Sequence, residues 1–213
     1  MITAEFIETC RLDSEKLIPD GLPVIEGFSS YKVRALLHNL CSLDPCNYLE
    51  IGTHIGSTLI PAMYGNNHAK FTCIDNWTPH PVMFNHTRDA FEKNLKSTFG
   101  GKVPANLQIL EADMFTVDVN LIQNKPVNVY FFDGPHSLEA QKEAFIHFNP
   151  VFAKTFVAVV DDWNYAAEVQ TGTREAFQAL NYRVVREWLL KGDYNGSEAG
   201  YWNGIGMFLI EKP

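Results

Sequence analysis

Short apolar runs alternate with helical patterns along most of this chain, and that alternation restricts it to a sheet with helices packed on its faces. Residues 47–52, 70–75, 107–110, 127–133 and 156–161 are rich in Val, Ile, Phe and Tyr and read as buried strands. Between them, residues 58–64, 87–99 and 138–148 carry apolar side chains at helical spacing. The expectation is an α/β fold, a doubly wound and mostly parallel sheet. The C-terminal end breaks the rhythm. Residues 182–190 and 205–211 both read as strands, joined only by a Gly-rich connection too short for a crossover helix. Those two strands must therefore be antiparallel neighbours. The segment before the first strand, through residues 28–40, reads as one or two extra helices, and residues 1–8 as the start of an amphipathic one. Linkers, repeats and low-complexity tracts are missing, so a single domain over residues 1–213 is expected.

Composition narrows the partners. The chain has 17 basic against 25 acidic residues, a net charge of −8, and no basic run. Phosphate contacts dominate nucleic-acid affinity, so this balance argues against DNA or long RNA. No apolar run approaches a membrane span, and acids stand where a secretion signal would be apolar. Cys10, Cys41, Cys46 and Cys73 lack metal-ligand spacing, and Cys73 sits inside a strand pattern as a core residue. Reduced thiols and a cytoplasmic setting are the expectation. The oligomeric state is not set by the sequence, and a homodimer is compatible with it.

The stretch Tyr48-Leu49-Glu50-Ile51-Gly52-Thr53-His54-Ile55-Gly56-Ser57-Thr58 is a strand, a turn and a helix start. Gly52 and Gly56 permit a sharp turn and close approach of a ligand. Ser57 and Thr58 stand where helix caps belong. A pyrophosphate cradle packs three glycines as G-x-G-x-x-G, whereas here Thr53, His54 and Ile55 fill the gap. Glu50 adds a negative charge that repels phosphate and suits an amine or a sulfonium. A plain strand–turn–helix corner uses glycines in the same way. The pattern resembles E-x-G-x-x-x-G-x-[ST], the first motif of class I S-adenosylmethionine-dependent methyltransferases. That resemblance implies S-adenosyl-L-methionine as cofactor, with Glu50, Gly52, Thr53, His54, Gly56 and Ser57 around it. It also implies the Rossmann-like seven-stranded sheet of that class, mostly parallel with one antiparallel strand near the C-terminus and a helical extension at the N-terminus.

Acids close the strands, and ligands of such sheets bind outside the carboxyl ends. Asp75 ends the second strand, where a carboxylate accepts hydrogen bonds from a ribose diol, and Asn76 and Trp77 follow in the same loop. Asp113 and Met114 follow the third strand, a loop that contacts adenine in the methyltransferases the chain resembles. A helix cap is the other role open to Asp113. Asp133-Gly134-Pro135-His136 ends the fourth strand, and Asp161-Asp162-Trp163 the fifth. If those strands are neighbours, three carboxylates crowd one region, each raising the others' pKa unless a cation intervenes. Oxygen ligands suit Mg²⁺, Ca²⁺ or Mn²⁺, with Mg²⁺ the expected metal. The pair D-G-x-H and D-D-W resembles the methyltransferase family related to macrocin O-methyltransferase, in order from about Tyr48 to Thr173. In that family, acids matching Asp133, Asp161 and Asp162 bind a divalent metal. The macrocin-type enzymes carry D-G-D, and Pro135 replaces the second Asp here. His136 is the nearest substitute as a proton acceptor beside Asp133, and a turn histidine bonded to a carbonyl is its alternative.

Two loops complete the expectation. One, with Trp77, His80 and His86, is long enough to cover the cofactor; the other, with Tyr194, Tyr201 and Trp202, opens on the rim of the acids. His38, His68 and His147 imply no chemistry. The reading that joins these features is methylation of a hydroxyl on a small molecule or sugar, assisted by a divalent metal. A non-catalytic cofactor- or sugar-binding protein on the same fold and a nicotinamide-dependent oxidoreductase remain as alternatives, the latter lacking its three-glycine turn.

Overall fold

The computed structural model describes residues 2–16, 19–78, 87–192 and 200–213. His80 and His86, with Pro79, Pro81 and Met83, and Tyr194 with Gly196, lie outside the described residues. Two helices, α1 (Ala4–Lys16) and α2 (Tyr31–Leu40), precede strand β1 (Asn47–Ile51). There follow α3 (Leu59–Met63), β2 (Lys70–Asp75), α4 (Thr87–Thr98), β3 (Leu107–Glu111), β4 (Val127–Phe132), α5 (Leu138–Ile146), β5 (Phe152–Val160), α6 (Ala167–Ala179), β6 (Arg183–Leu190) and β7 (Ile205–Glu211). The strands form one seven-stranded sheet in the order β3-β2-β1-β4-β5-β7-β6. The pairs among β1 to β5 are parallel, and β7 runs antiparallel to both β5 and β6. This is the doubly wound sheet expected from the alternation and the seven-stranded class I arrangement implied by the resemblance, down to the hairpin at its end.

Side-chain alternation along the strands builds two cores. Tyr48, Phe71, Cys73, Phe131, Val157 and Val159 face one side and pack under α1 to α4. Leu49, Ile51, Tyr130, Phe132, Val160 and Phe208 face the other, under α5 and α6. Local signals start the helices where the backbone donors need partners. Ser30 accepts a hydrogen bond from the Val33 N–H at the start of α2, and Ser137 does so from Ala140 at the start of α5. All four cysteines are buried and free. No helix among the described residues is long and apolar enough to cross a membrane.

Helix α6 was absent from the sequence reading for a physical reason. Its sequence AEVQTGTREAFQA includes two Thr and a Gly, poor helix formers. Val169, Gly172, Thr173, Ala176 and Phe177 are nonetheless its buried stripe. Gly172 is needed there because a Cβ would lie 2.6 Å from the Leu138 carbonyl oxygen and 2.7 Å from Gln141 Cβ. Alanine is ordinarily worth about 1 kcal/mol over glycine inside a helix. Here Gly172→Ala should destabilise instead, because separating α5 from α6 costs roughly 1–3 kcal/mol. Thermal unfolding should show a loss of several degrees, and an unchanged or raised melting temperature would refute the close approach.

Candidate active site

Register aligns the strand ends. Ile74, Ile51, Phe132 and Val160 end the pairing between β2, β1, β4 and β5, each opposite the next. The residues that follow therefore form one row: Asp75, Gly52, Asp133, Asp161. The pairing continues one step into it, with Gly52 N–H donating to Ile74 (2.9 Å), Asp133 N–H to Ile51 (2.9 Å) and Asp161 N–H to Phe132 (2.9 Å). Gly52, at φ 89°, lies so close to Asp133 that a Cβ would sit 1.8 Å from its carbonyl oxygen. The glycine was expected to make room for a ligand; what it admits first is the neighbouring strand end.

Two cavities open on this row. The first, about 210 Å³, is lined by Ile51, Gly52, Asp75, Asn76, Asp113, Met114, Phe115 and Gly134 among others. Asp75 is held from the backbone: one carboxylate oxygen accepts from His54 N–H (2.7 Å) and the other from Trp77 N–H (2.6 Å). A carboxylate has about four acceptor positions, so two remain for a diol. Asp113 caps its own turn, accepting from Phe115 N–H at 2.8 Å, while its residue lines the cleft. The cap is that of a turn rather than of a helix. Trp77 is not a lid over this cleft. It is buried, stacked on Phe91 at 5.4 Å, and donates from Nε1 to the His54 carbonyl at 2.7 Å.

The second cavity, about 370 Å³, is lined by Phe28, His54, Ser57, Asp133, His136, Asp161, Asp162, Tyr165, Trp202 and Asn203. Asp133, His136 and Asp162 each present a ligand atom, all within 4.8 Å of one another. His136 Nε2 lies 2.5 Å from Asp162 Oδ2, a charge-assisted contact. The converging set thus differs from the three acids expected. His136 takes the third place, and Asp161 lines the same chamber with its buried Oδ1 lacking a hydrogen-bond partner among the described residues. Phe28, Tyr165 and Trp202 wall the chamber with aromatic rings; of these, Phe28 and Tyr165 had no sequence signal beyond being aromatic. The rim loop holding Trp202 was legible from the antiparallel hairpin.

The charge distribution is unusual for a folded interior. Burial pushes the Asp133 carboxyl up, helped by Asp162, Glu50 and Asp75. Asp161 moves up likewise, by burial and then by Asp133 and Asp162. Burial lowers His54, which favours its neutral form. Glu50 is fully buried and lines neither cavity, contrary to the expectation that it faces a ligand. It accepts from the Tyr48 hydroxyl at 2.6 Å and from Thr58 Oγ1 at 3.2 Å. Burial raises its pKa to about 8. Thr58 therefore ties α3 to β1 rather than capping α3 with its side chain. Thr53 is buried behind the turn, and Gly56 packs against Ile60 and Phe91, so both shape the cradle from inside. His38, His68 and His147 each bond a backbone carbonyl.

Comparison with known proteins is consistent with this geometry. A family described as a methyltransferase domain matches residues 49–163, over half of the chain. No curated protein matches. Among solved structures, a Staphylococcus aureus protein assigned as a caffeoyl-CoA O-methyltransferase aligns with a TM-score of 0.61 at 16% identity, covering 100% of this chain and 93% of that one. The O-methyltransferase TomG of Streptomyces achromogenes, involved in tomaymycin synthesis and solved with SAM, gives 0.59 at 18% identity, covering 99% and 91%. A Bacillus cereus O-methyltransferase solved with SAH gives 0.59 at 14%, covering 99% and 93%. At such identities the likeness establishes the fold.

Glu50 sets a measurable pH dependence. Its folded pKa of about 8 lies above the ordinary carboxyl value of 4.5, so the native state keeps a proton that the unfolded chain releases. Its contribution to stability is complete below about pH 4.5 and lost as pH rises toward 8. The slope for one such group is about 1.4 kcal/mol per pH unit. Glu50→Gln removes the titration, so its stability relative to the parent should rise steadily between pH 5 and 8 in denaturant unfolding. A constant difference across that range would show that Glu50 is ionised in the fold.

Proposed function

This chain belongs to a methyltransferase domain family, and we propose that it transfers a methyl group from S-adenosylmethionine to a hydroxyl of a small molecule or sugar, with a divalent cation at the acceptor side. The observation that carries the reading is the pair of cavities on one row of strand ends, a diol-accepting cleft beside a chamber floored by converging acids. In the cleft, Asp75 would take the ribose, Asp113 and Met114 would flank the adenine, and Gly52 with Asn76 would border the nucleoside. His54 and Ser57, on the turn between the two cavities, would meet the methionine end and the acceptor. S-adenosylmethionine supplies an electrophilic methyl on a sulfonium, and the protein's part is to hold donor and acceptor in line.

The chamber fits a cation because it concentrates carboxylates with raised pKa values and a buried oxygen on Asp161 that has no partner among the described residues. Asp133 and Asp162 would hold it with His136 as third donor, and Asp161 would add charge or a fourth ligand. When bound, such a cation lowers the pKa of an acceptor hydroxyl. An imidazole among the donors widens the choice beyond Mg²⁺ toward Mn²⁺ and other first-row ions. Phe28, Tyr165 and Trp202 would bracket the acceptor and exclude water. This protein would act on small acceptors, without nucleic acid or membrane as partner.

Titration calorimetry with S-adenosylhomocysteine and with NAD tests the cofactor. S-adenosylhomocysteine should bind and raise the melting temperature by mass action, and Asp75→Ala should weaken it at least tenfold. Saturable NAD binding with no response to S-adenosylhomocysteine would overturn the reading.

His136 is tested separately. As a ligand, His136→Ala should lower cation affinity and turnover together while leaving S-adenosylhomocysteine affinity intact. If cation affinity is unchanged and only a limb near neutral pH disappears from the pH–rate profile, His136 is the proton acceptor instead.

A further inference from the structure

Asp162 is held in place by a residue from the opposite loop. It sits at φ 56°, a left-handed conformation that costs a non-glycine residue energy unless its surroundings enforce it. Its Oδ2 faces His136, and its Oδ1 accepts a hydrogen bond of 2.6 Å from Asn203 Nδ2. Asn203 is itself left-handed at φ 54° and nearly fully buried, at 6% exposure. The backbones on either side are bonded to each other: Trp163 N–H donates to Gly204 (3.0 Å) and Asn164 N–H to Asn203 (2.7 Å). Gly204 N–H in turn donates to Tyr201 (2.8 Å), whose hydroxyl lies 3.1 Å from Ser14 Oγ on α1. Asp162, Asn203 and the chamber wall Trp202 thus belong to one bonded unit, which joins the end of β5 to the start of β7 and to the N-terminal helix.

We infer that Asn203 is a positioning residue for the cation site, fixing the Asp162 carboxylate so that Oδ2 points at the place shared with Asp133 and His136. This rests on the cation reading above. The chemistry is that of an outer partner to a carboxylate ligand. The amide donor occupies one oxygen, blocks rotation of the carboxylate and leaves the other oxygen aimed, so less ordering remains to be done when a cation arrives. Loss of such partners typically reduces metal affinity about 10–100-fold. No other residue substitutes simply, because the site requires both tolerance of positive φ and an N–H donor of this reach. The same unit carries Trp202, so contact of an acceptor with that ring reaches Asp162 through the adjacent residue.

The test uses Mn²⁺ as probe, its free concentration read by electron paramagnetic resonance, on the full chain without acceptor. Asn203→Gly keeps the left-handed backbone and removes the donor, and Asn203→Ser serves if the glycine loosens the loop. Either variant, shown folded by its unfolding transition, should bind Mn²⁺ about 10–100-fold more weakly than the parent. S-adenosylhomocysteine affinity should stay within about twofold, because Asn203 does not line the cofactor cleft. Parent and folded variant binding Mn²⁺ equally would overturn the role of Asn203 and leave the cation site standing. A parent that binds no Mn²⁺ would overturn the cation reading, and this inference with it. Equal weakening of Mn²⁺ and S-adenosylhomocysteine would also overturn it, marking Asn203 as a general support of the fold.

Discussion

The constraint on which the site is built is the contact between Gly52 and the Asp133 carbonyl. Two adjacent parallel strands end side by side, and the chain of each must turn away in a different direction. Any side chain at Gly52 would occupy space already filled by the Asp133 backbone. Removing it lets both turns start at the same height, which puts the Asp75 side of the row in one cavity and the Asp161 side in the other. Gly52 lines one cavity and Asp133 the other, so donor and acceptor would be neighbours across this contact. Substitution at Gly52 should be viewed as damage to the sheet edge before it is damage to a ligand contact.

Around that contact the protein accepts conformations and charges that ordinary packing avoids. His54, Trp77, Asp162 and Asn203 are four of the five left-handed non-glycine residues described, and all lie on this rim. Each is fixed by hydrogen bonds: His54 and Trp77 through both Asp75 oxygens and through each other, Asp162 and Asn203 through their side chains. Acidic groups are packed behind and between them, with Glu50 neutralised by burial and Asp133 and Asp161 pushed the same way. Strain and like charges in one place are costs that persist where binding gives them a use. The bonds from Tyr48 and Thr58 to Glu50 keep the part of the cluster farthest from the cavities satisfied.

Much of this was legible in the residues. Continuous apolar runs marked the strands, and the missing crossover between β6 and β7 forced the antiparallel hairpin. Asp75, Asp133, Asp161 and Asp162 each follow an apolar run, which located them at the carboxyl rim. What failed to show was depth. Glu50 opens a motif at a strand end, yet it pairs with Cys73 and Phe131, two residues inside the row formed by Gly52 and Asp133. At about 3.3 Å per strand residue, that places it some 6–7 Å behind the rim. Alternation then turns it toward the helices above the sheet, and it becomes a buried tie. The same limit applied to Trp77, whose single letter does not reveal that Phe91 lies ready to stack on it. Helix α6 is hard to read because Gly172 and Thr173 interrupt the apolar stripe of Val169, Ala176 and Phe177 with residues that favour helix poorly.

His136 shows a further limit of reading residues one at a time. In sequence it follows Asp133 by three positions, which invites pairing within its own loop. In the fold its bond goes to Asp162, on the neighbouring strand end. The turn Asp133-Gly134-Pro135 carries the imidazole sideways across the row, and the left-handed Asp162 brings its carboxylate to meet it. Neither placement is written in one segment, because the contact is made between two strand ends. A contact of the same kind links Asp162 to Asn203, 41 residues apart. The chamber is thus assembled from three loops that hold one another, and the carboxylate common to both pairings is the point on which its geometry turns.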